Sequence, residues 1–172
     1  MPISRQTKWI YLPWRQLYIR GFDSMAEASS GTVPSGEWFR KGNALLGGGS
    51  FTEAVEAYDQ AVQESPKDAD SWNNRGLALA SLNRFSDALR SFEQAGEINP
   101  SHPDAWYNRG MVLCALQRFD DAVSSFEKAL QINPKNAHAW HNKGVALKHL
   151  GLDAEARFAF SCAGWIGIHG QF

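Results

Sequence analysis

The sequence predicts an all-α fold, an array of stacked antiparallel helix hairpins, and three observations predict it. Trp38, Trp72, Trp106 and Trp140 stand at a strict 34-residue spacing. The same period carries Gly42, Gly76, Gly110 and Gly144, then Ala54, Ala88, Ala122 and Ala156, then Tyr58, Phe92, Phe126 and Phe160, then Ala61, Ala95, Ala129 and Ala163. Within a period, apolar and small residues recur at helical spacing, as in Trp106, Gly110 and Leu113 and then Ala122, Phe126, Ala129 and Leu130, so each unit reads as two amphipathic helices. A repeat of this length means that no unit buries its apolar face alone and each stacks on its neighbours.

The helices predicted in order are 36–48 and 51–64, 69–82 and 85–98, 103–116 and 119–132, and 137–150 and 153–164. In each first helix the recurring glycine costs about 1 kcal/mol of helix propensity, so its return at one place marks a close approach of two backbones. The tryptophan supplies apolar area at the junction between units, on the order of 150–250 Å² for a buried aromatic. Gly47, Gly48 and Gly49 stand at the first turn and predict a frayed, locally mobile end to the first helix. Ser65-Pro66, Asn99-Pro100 and Asn133-Pro134 end the second helix of three units, because a residue before proline is driven out of the α region. Asp70 and Asp104 favour the positive end of the helices that follow. In the last unit Asp153 replaces the aromatic found at Phe51, Phe85 and Phe119, and no proline closes the helix.

Composition limits the function. With 172 residues and 44% hydrophobic content the chain suffices for about one domain with a core, which excludes wholesale disorder. Seventeen basic against eighteen acidic side chains give no polybasic surface for nucleic acid. Cys114 and Cys162 lack the spacing of a zinc site or a disulfide framework, consistent with a reducing, cytoplasmic setting. No apolar run reaches the roughly 18 residues of a membrane span. No nucleophile elbow, phosphate loop, His-Glu-x-x-His or dinucleotide fingerprint occurs, so no catalysis and no cofactor are expected.

The succession of Trp, Gly, Ala, aromatic, Ala and Pro over 34 residues resembles the tetratricopeptide repeat family. The resemblance covers units 35–68, 69–102, 103–136 and 137–168, the middle two matching at every position named. It implies a right-handed α-solenoid whose first helices line a concave groove, and a non-catalytic scaffold that binds an extended peptide or helix of a partner protein. Carried over residue by residue, the groove would be lined in unit one by Gly36, Phe39, Arg40, Asn43 and Leu46, and in unit two by Asp70, Asn73, Asn74, Leu77 and Ala80. Unit three would supply Asp104, Tyr107, Asn108, Met111 and Cys114, and unit four His138, His141, Asn142, Val145 and Lys148. Asn74, Asn108 and Asn142 recur once per unit, and an amide with one acceptor and two donors can pair with a peptide backbone whatever its side chains. The same amides could instead bridge neighbouring helices. Leu77, Tyr107, Met111 and Val145 would form an apolar floor suited to adaptable contacts. Members of the family that clamp an acidic peptide terminus need groove cations. Here Asn43 and Asn74 match their two asparagines, but Phe39, Asp104 and Asn108 stand where the cations belong, and Asp104 would repel such a ligand.

His138, His141 and His149 share one stripe of a helix. His149 lies about 12 Å along the axis from His141, so only two could meet, and two ligands do not make a metal site; partner recognition is the expected role. Cys114 and Cys162 read as small packing residues. After the last repeat, family members commonly carry a solvating helix; its absence before Phe172 would leave Phe158, Phe160, Trp165 and Ile168 partly uncovered. This gives the alternative function, self-association through that end or through the aromatic segment at the other. Residues 1–34, an extension outside the period, are aromatic and basic through Lys8, Trp9, Tyr11, Trp14, Arg15, Tyr18, Arg20 and Phe22, with a net charge of +2 against −3 for the remainder. The apolar run Ile10–Trp14 is too short and broken for a secretory signal. A transit peptide or an interfacial membrane anchor is the less favoured reading; better supported are that Met25 is the natural start, or that the segment packs on the first repeat or in the groove. Residues 169–172 are read as a tail.

Overall fold

The computed structural model describes the backbone of residues 36–169 and the side chains through Gly167; the readings made of residues 1–34, of Ile168 and of residues 170–172 fall outside that range. The described residues form eight helices and no strand. They are α1 (Gly36–Gly47), α2 (Phe51–Glu64), α3 (Ala69–Ser81), α4 (Phe85–Ile98), α5 (Pro103–Ala115), α6 (Phe119–Ile132), α7 (Ala137–His149) and α8 (Asp153–His169). Seven of the eight end within one residue of the predicted position. The exception is α8, which runs five residues past 164, since no proline follows to stop it.

Each hairpin closes on its glycine. A Cβ placed on Gly42, Gly76, Gly110 or Gly144 would stand 2.6–2.8 Å from the ring of Tyr58, Phe92, Phe126 or Phe160. Three of these rings are fully buried. The ring of the second helix therefore presses against the backbone of the first, and any side chain at the glycine would push it off.

The turn inside each hairpin is also periodic. Gly49, Asn83, Gln117 and Gly151 all adopt positive φ, between 59° and 80°. The next residue returns its N–H to the carbonyl five back, Ser50 to Leu45, Arg84 to Leu79, Arg118 to Leu113 and Leu152 to Leu147, at 2.9–3.0 Å. This is the Schellman closure of a helix end. It corrects the frayed end expected at Gly47–Gly49. α1 ends at Gly47, the position equivalent to the ends of α3, α5 and α7, Gly49 supplies the left-handed residue that the turn requires, and the hydrogen bonds match those of the other three turns.

Between units the indole N–H of Trp72, Trp106 and Trp140 donates to the carbonyl of Pro66, Pro100 and Pro134 at 2.9–3.0 Å. Each tryptophan thus ties the start of one hairpin to the end of the last. Ion pairs repeat with the same period: Asp59–Arg75 at 2.6 Å, Glu93–Arg109 at 3.1 Å and Glu127–Lys143 at 2.8 Å. Arg75 and Arg109 also donate to the buried hydroxyls of Ser91 and Ser125. Each first helix packs on both helices of its surroundings and also meets the next first helix, α1 with α3, α3 with α5 and α5 with α7. The second helices do not approach one another to that degree, so the stack curves with α1, α3, α5 and α7 on its inner side.

Candidate functional site

The inner face is built from the residues that follow each tryptophan on α3, α5 and α7. Asn43, Asn74, Asn108 and Asn142 are each half-buried there. The first three are joined through Asn73 by a relay of side-chain amides rather than standing free. Asn108 Nδ2 donates to Asn73 Oδ1 at 3.1 Å, Asn73 Nδ2 to Asn74 Oδ1 at 3.1 Å, and Asn74 Nδ2 to Asn43 Oδ1 at 3.0 Å, where the Tyr58 hydroxyl also donates at 2.7 Å. Asn142 Nδ2 instead reaches the Tyr107 hydroxyl and the Met111 sulfur, both at 3.0 Å. Asn73 is only 2% exposed. This corrects its expected place among the groove-facing residues, because it sits between repeats as the central link of the relay. Leu46 and Ala80, also expected in the groove, belong to the core. The relay leaves the carbonyl of Asn108 and one N–H of each donor amide uncommitted.

Leu77, Tyr107 and Met111 are half-buried and pack on the core, with the Tyr107 ring tilted against Phe126 at 5.9 Å between centroids. Val145 is half-buried on α7. Burial pushes the Tyr107 hydroxyl up to about 12, as it does the Cys114 thiol. For the cysteine that direction is opposite to the one a nucleophile needs. His138 and His141 are exposed on α7; His141 lies against Phe160 at 5.3 Å, whereas His149 stacks on Phe119 at 4.4 Å. Each imidazole thus has its own aromatic neighbour or faces solvent, and no three metal-ligating side chains converge among the described residues.

The two groove acids differ in their surroundings. His102 is buried and caps α5, its Nδ1 accepting the Ala105 N–H at 3.4 Å. Its Nε2 must then carry the proton, which it donates across the repeat boundary to Asp70 Oδ1 at 3.1 Å. That hydrogen bond holds the Asp70 carboxyl below the usual carboxylate range. Asp104 has no hydrogen-bond partner among the described residues, and burial raises its carboxyl above the usual value, with Asp70 adding to the rise and His102 opposing it. An acid whose folded pKa is raised costs stability as pH climbs through its unfolded value of 3.8 toward the folded one, and the cost persists at neutral pH. Asp104→Asn is therefore expected to melt above the wild type at pH 7, with the gap closing below pH 4. Equal melting temperatures at pH 7 would refute the desolvation of Asp104.

Sequence reading missed the cross-repeat pair of Asp70 and His102 and the indole-to-proline bonds. The second had a visible signal, since each tryptophan follows its proline by six residues in three successive units. The first had none, because Asp68, His102 and Asn136 occupy equivalent cap positions and only His102 carries a second nitrogen that can reach Asp70.

Tetratricopeptide repeat family models match residues 39–97, 103–136 and 125–158. A model of the protein prenyltransferase alpha subunit repeat matches residues 85–116. No curated protein sequence matches the chain. Among solved structures, two crystal structures of MamA superpose with TM-scores of 0.72 and 0.74 at 24% and 23% identity. They cover 75% and 87% of this chain and 70% and 86% of theirs. The first tetratricopeptide domain of Spaghetti (RPAP3), solved with the HSP90 peptide SRMEEVD, superposes with a TM-score of 0.65 at 26% identity over 66% of this chain and 90% of its own.

Proposed function

Since the chain belongs to the tetratricopeptide repeat family, we propose that it is a non-catalytic scaffold whose inner groove holds an extended segment of a partner protein. The observation that carries this reading is the row of half-buried amides beside the apolar floor of Leu77, Tyr107, Met111 and Val145. Because the amides already bond one another, their orientations are set before a ligand arrives, which lowers the cost of ordering them on binding. The uncommitted N–H groups of the half-buried Asn74 and Asn108 and the Asn108 carbonyl can then meet a peptide backbone. The RPAP3 domain, similar in fold, holds a peptide with two glutamates and a terminal aspartate. The groove of this chain carries Asp70 and Asp104, so a segment of opposite charge suits it.

The test starts from a peptide selected from a random display library for binding to the full chain. Asn74→Ala combined with Asn108→Ala is expected to weaken that peptide by about tenfold, from two lost hydrogen bonds of about 0.5–1.5 kcal/mol each. Fluorescence anisotropy measures the affinity, and circular dichroism checks that the helices persist. An affinity within twofold of wild type removes the ligand role of the amides.

A second reading, self-association, is favoured by one observation. On α8, Phe158 is 65% and Trp165 67% exposed, and Phe158 meets Trp140 edge-on at 6.0 Å beside a cleft of about 350 Å³ lined also by Leu147, Ala154 and Ala159. The equivalents of Phe158 in the other units are Glu56, Arg90 and Ser124, so an apolar side chain here is particular to this unit. Light scattering over a hundredfold dilution is expected to show an assembly that Phe158→Ser weakens. A monomer throughout eliminates this reading.

A further inference from the structure

The chain outside the described residues joins the array at a telling place. Gly36, the first residue of α1, is the unit-one equivalent of Asp70, Asp104 and His138, the row along the edge of the inner face where the first helices begin. Residues 1–22 carry four cations, Arg5, Lys8, Arg15 and Arg20, and no Asp or Glu, interleaved with Trp9, Tyr11, Trp14 and Tyr18. Resting on the groove reading above, we infer that this segment is the groove's own ligand, its cations beside Asp104 and Asp70 and its aromatic rings on Leu77, Tyr107 and Met111, so that a partner must displace it.

Reach is ample: Trp14 is 22 residue steps from Gly36, which spans up to about 70 Å at 3.3 Å per residue. The helices α3 and α5 stand one and two units away, about 10–20 Å at ordinary helix spacings, since successive first helices touch. Charge is complementary, since Asp104 meets no lysine or arginine among the described residues and Asp70 meets only His102. Chemistry is matched, because a half-buried floor containing methionine and tyrosine suits flat aromatic side chains, and arginine or lysine beside them satisfies a desolvated carboxylate. Covalent attachment would raise the effective concentration of such a segment to about the millimolar range, so even weak contacts keep the groove occupied.

The experiment uses the full chain with the photocrosslinker p-benzoylphenylalanine in place of Trp14, irradiated at low micromolar concentration. The expected product runs as a monomer, and mass spectrometry places the link on α3 or α5. Asp104→Lys is expected to cut its yield at least fivefold, while Glu56→Lys on the outer side leaves it unchanged. A dimer-sized product would make a second copy the occupant and overturn the inference. Links confined to α2, α4, α6 or α8, no link at all, or a yield indifferent to Asp104→Lys would overturn it equally. None of these failures touches the anisotropy measurement with an added peptide, which tests the groove reading by itself.

Discussion

Phe126→Ala is expected to remove about 3–5 kcal/mol of stability, the usual loss when a fully buried aromatic is truncated. Domains commonly have only about 5–15 kcal/mol in total, so this change alone should leave the array close to unfolding. The geometry accounts for the size of the effect. Phe126 is completely buried, lies directly under the backbone of Gly110 and supports the Tyr107 ring from below. Its neighbours on α5 cannot collapse into the space it leaves, because Gly110 has no side chain to lend and Tyr107 is tied to Asn142 by its hydroxyl. Urea denaturation followed by circular dichroism measures the loss. Phe160→Ala should cost less, because Phe160 in the last unit is only half-buried. A loss below 1 kcal/mol at Phe126 would mean that the hairpins are not held by their aromatic-on-glycine contacts.

The second large effect is a reversal of sign. Alanine is a better helix former than glycine by about 1 kcal/mol, yet Gly110→Ala is expected to destabilise, because the new Cβ would stand 2.7 Å from the Phe126 ring. Overpacking of this kind costs about 1–3 kcal/mol, enough to overcome the propensity gain. When Phe126→Ala has already emptied the site, the same Gly110→Ala change meets no ring and becomes stabilising. A double-mutant cycle should therefore give a coupling of about 2–3 kcal/mol between two residues sixteen apart in sequence. Additive effects in the cycle would refute the contact.

How much of this was legible beforehand depends on what repeats. The positions of seven helices followed from the period and the prolines, and the glycine contact from the recurrence of a poor helix former at one place. The length of α8 was misjudged because a boundary set by composition is weaker than one set by proline, and α8 lacks the proline. The glycines at 47–49 misled in another way. Glycine reads as flexibility in a sequence, whereas here Gly49 occupies a backbone conformation that Asn83 and Gln117 reach at a cost.

The groove divides along the same line. Which residues follow each tryptophan is a matter of counting, and the family resemblance then implied that Asn43, Asn74, Asn108 and Asn142 share one face. Whether an amide faces outward or inward depends on helix rotation and on its neighbour one unit away. Only the tertiary arrangement buried Asn73, chained the amides together, and paired Asp70 with His102 while leaving Asp104 without a partner among the described residues. The physical reason is one of range. Periodicity and capping act within a turn or two of helix and are written into neighbouring residues. The partners of a polar side chain are chosen across 31 to 35 residues by packing, where a single carbon or nitrogen decides which contact forms.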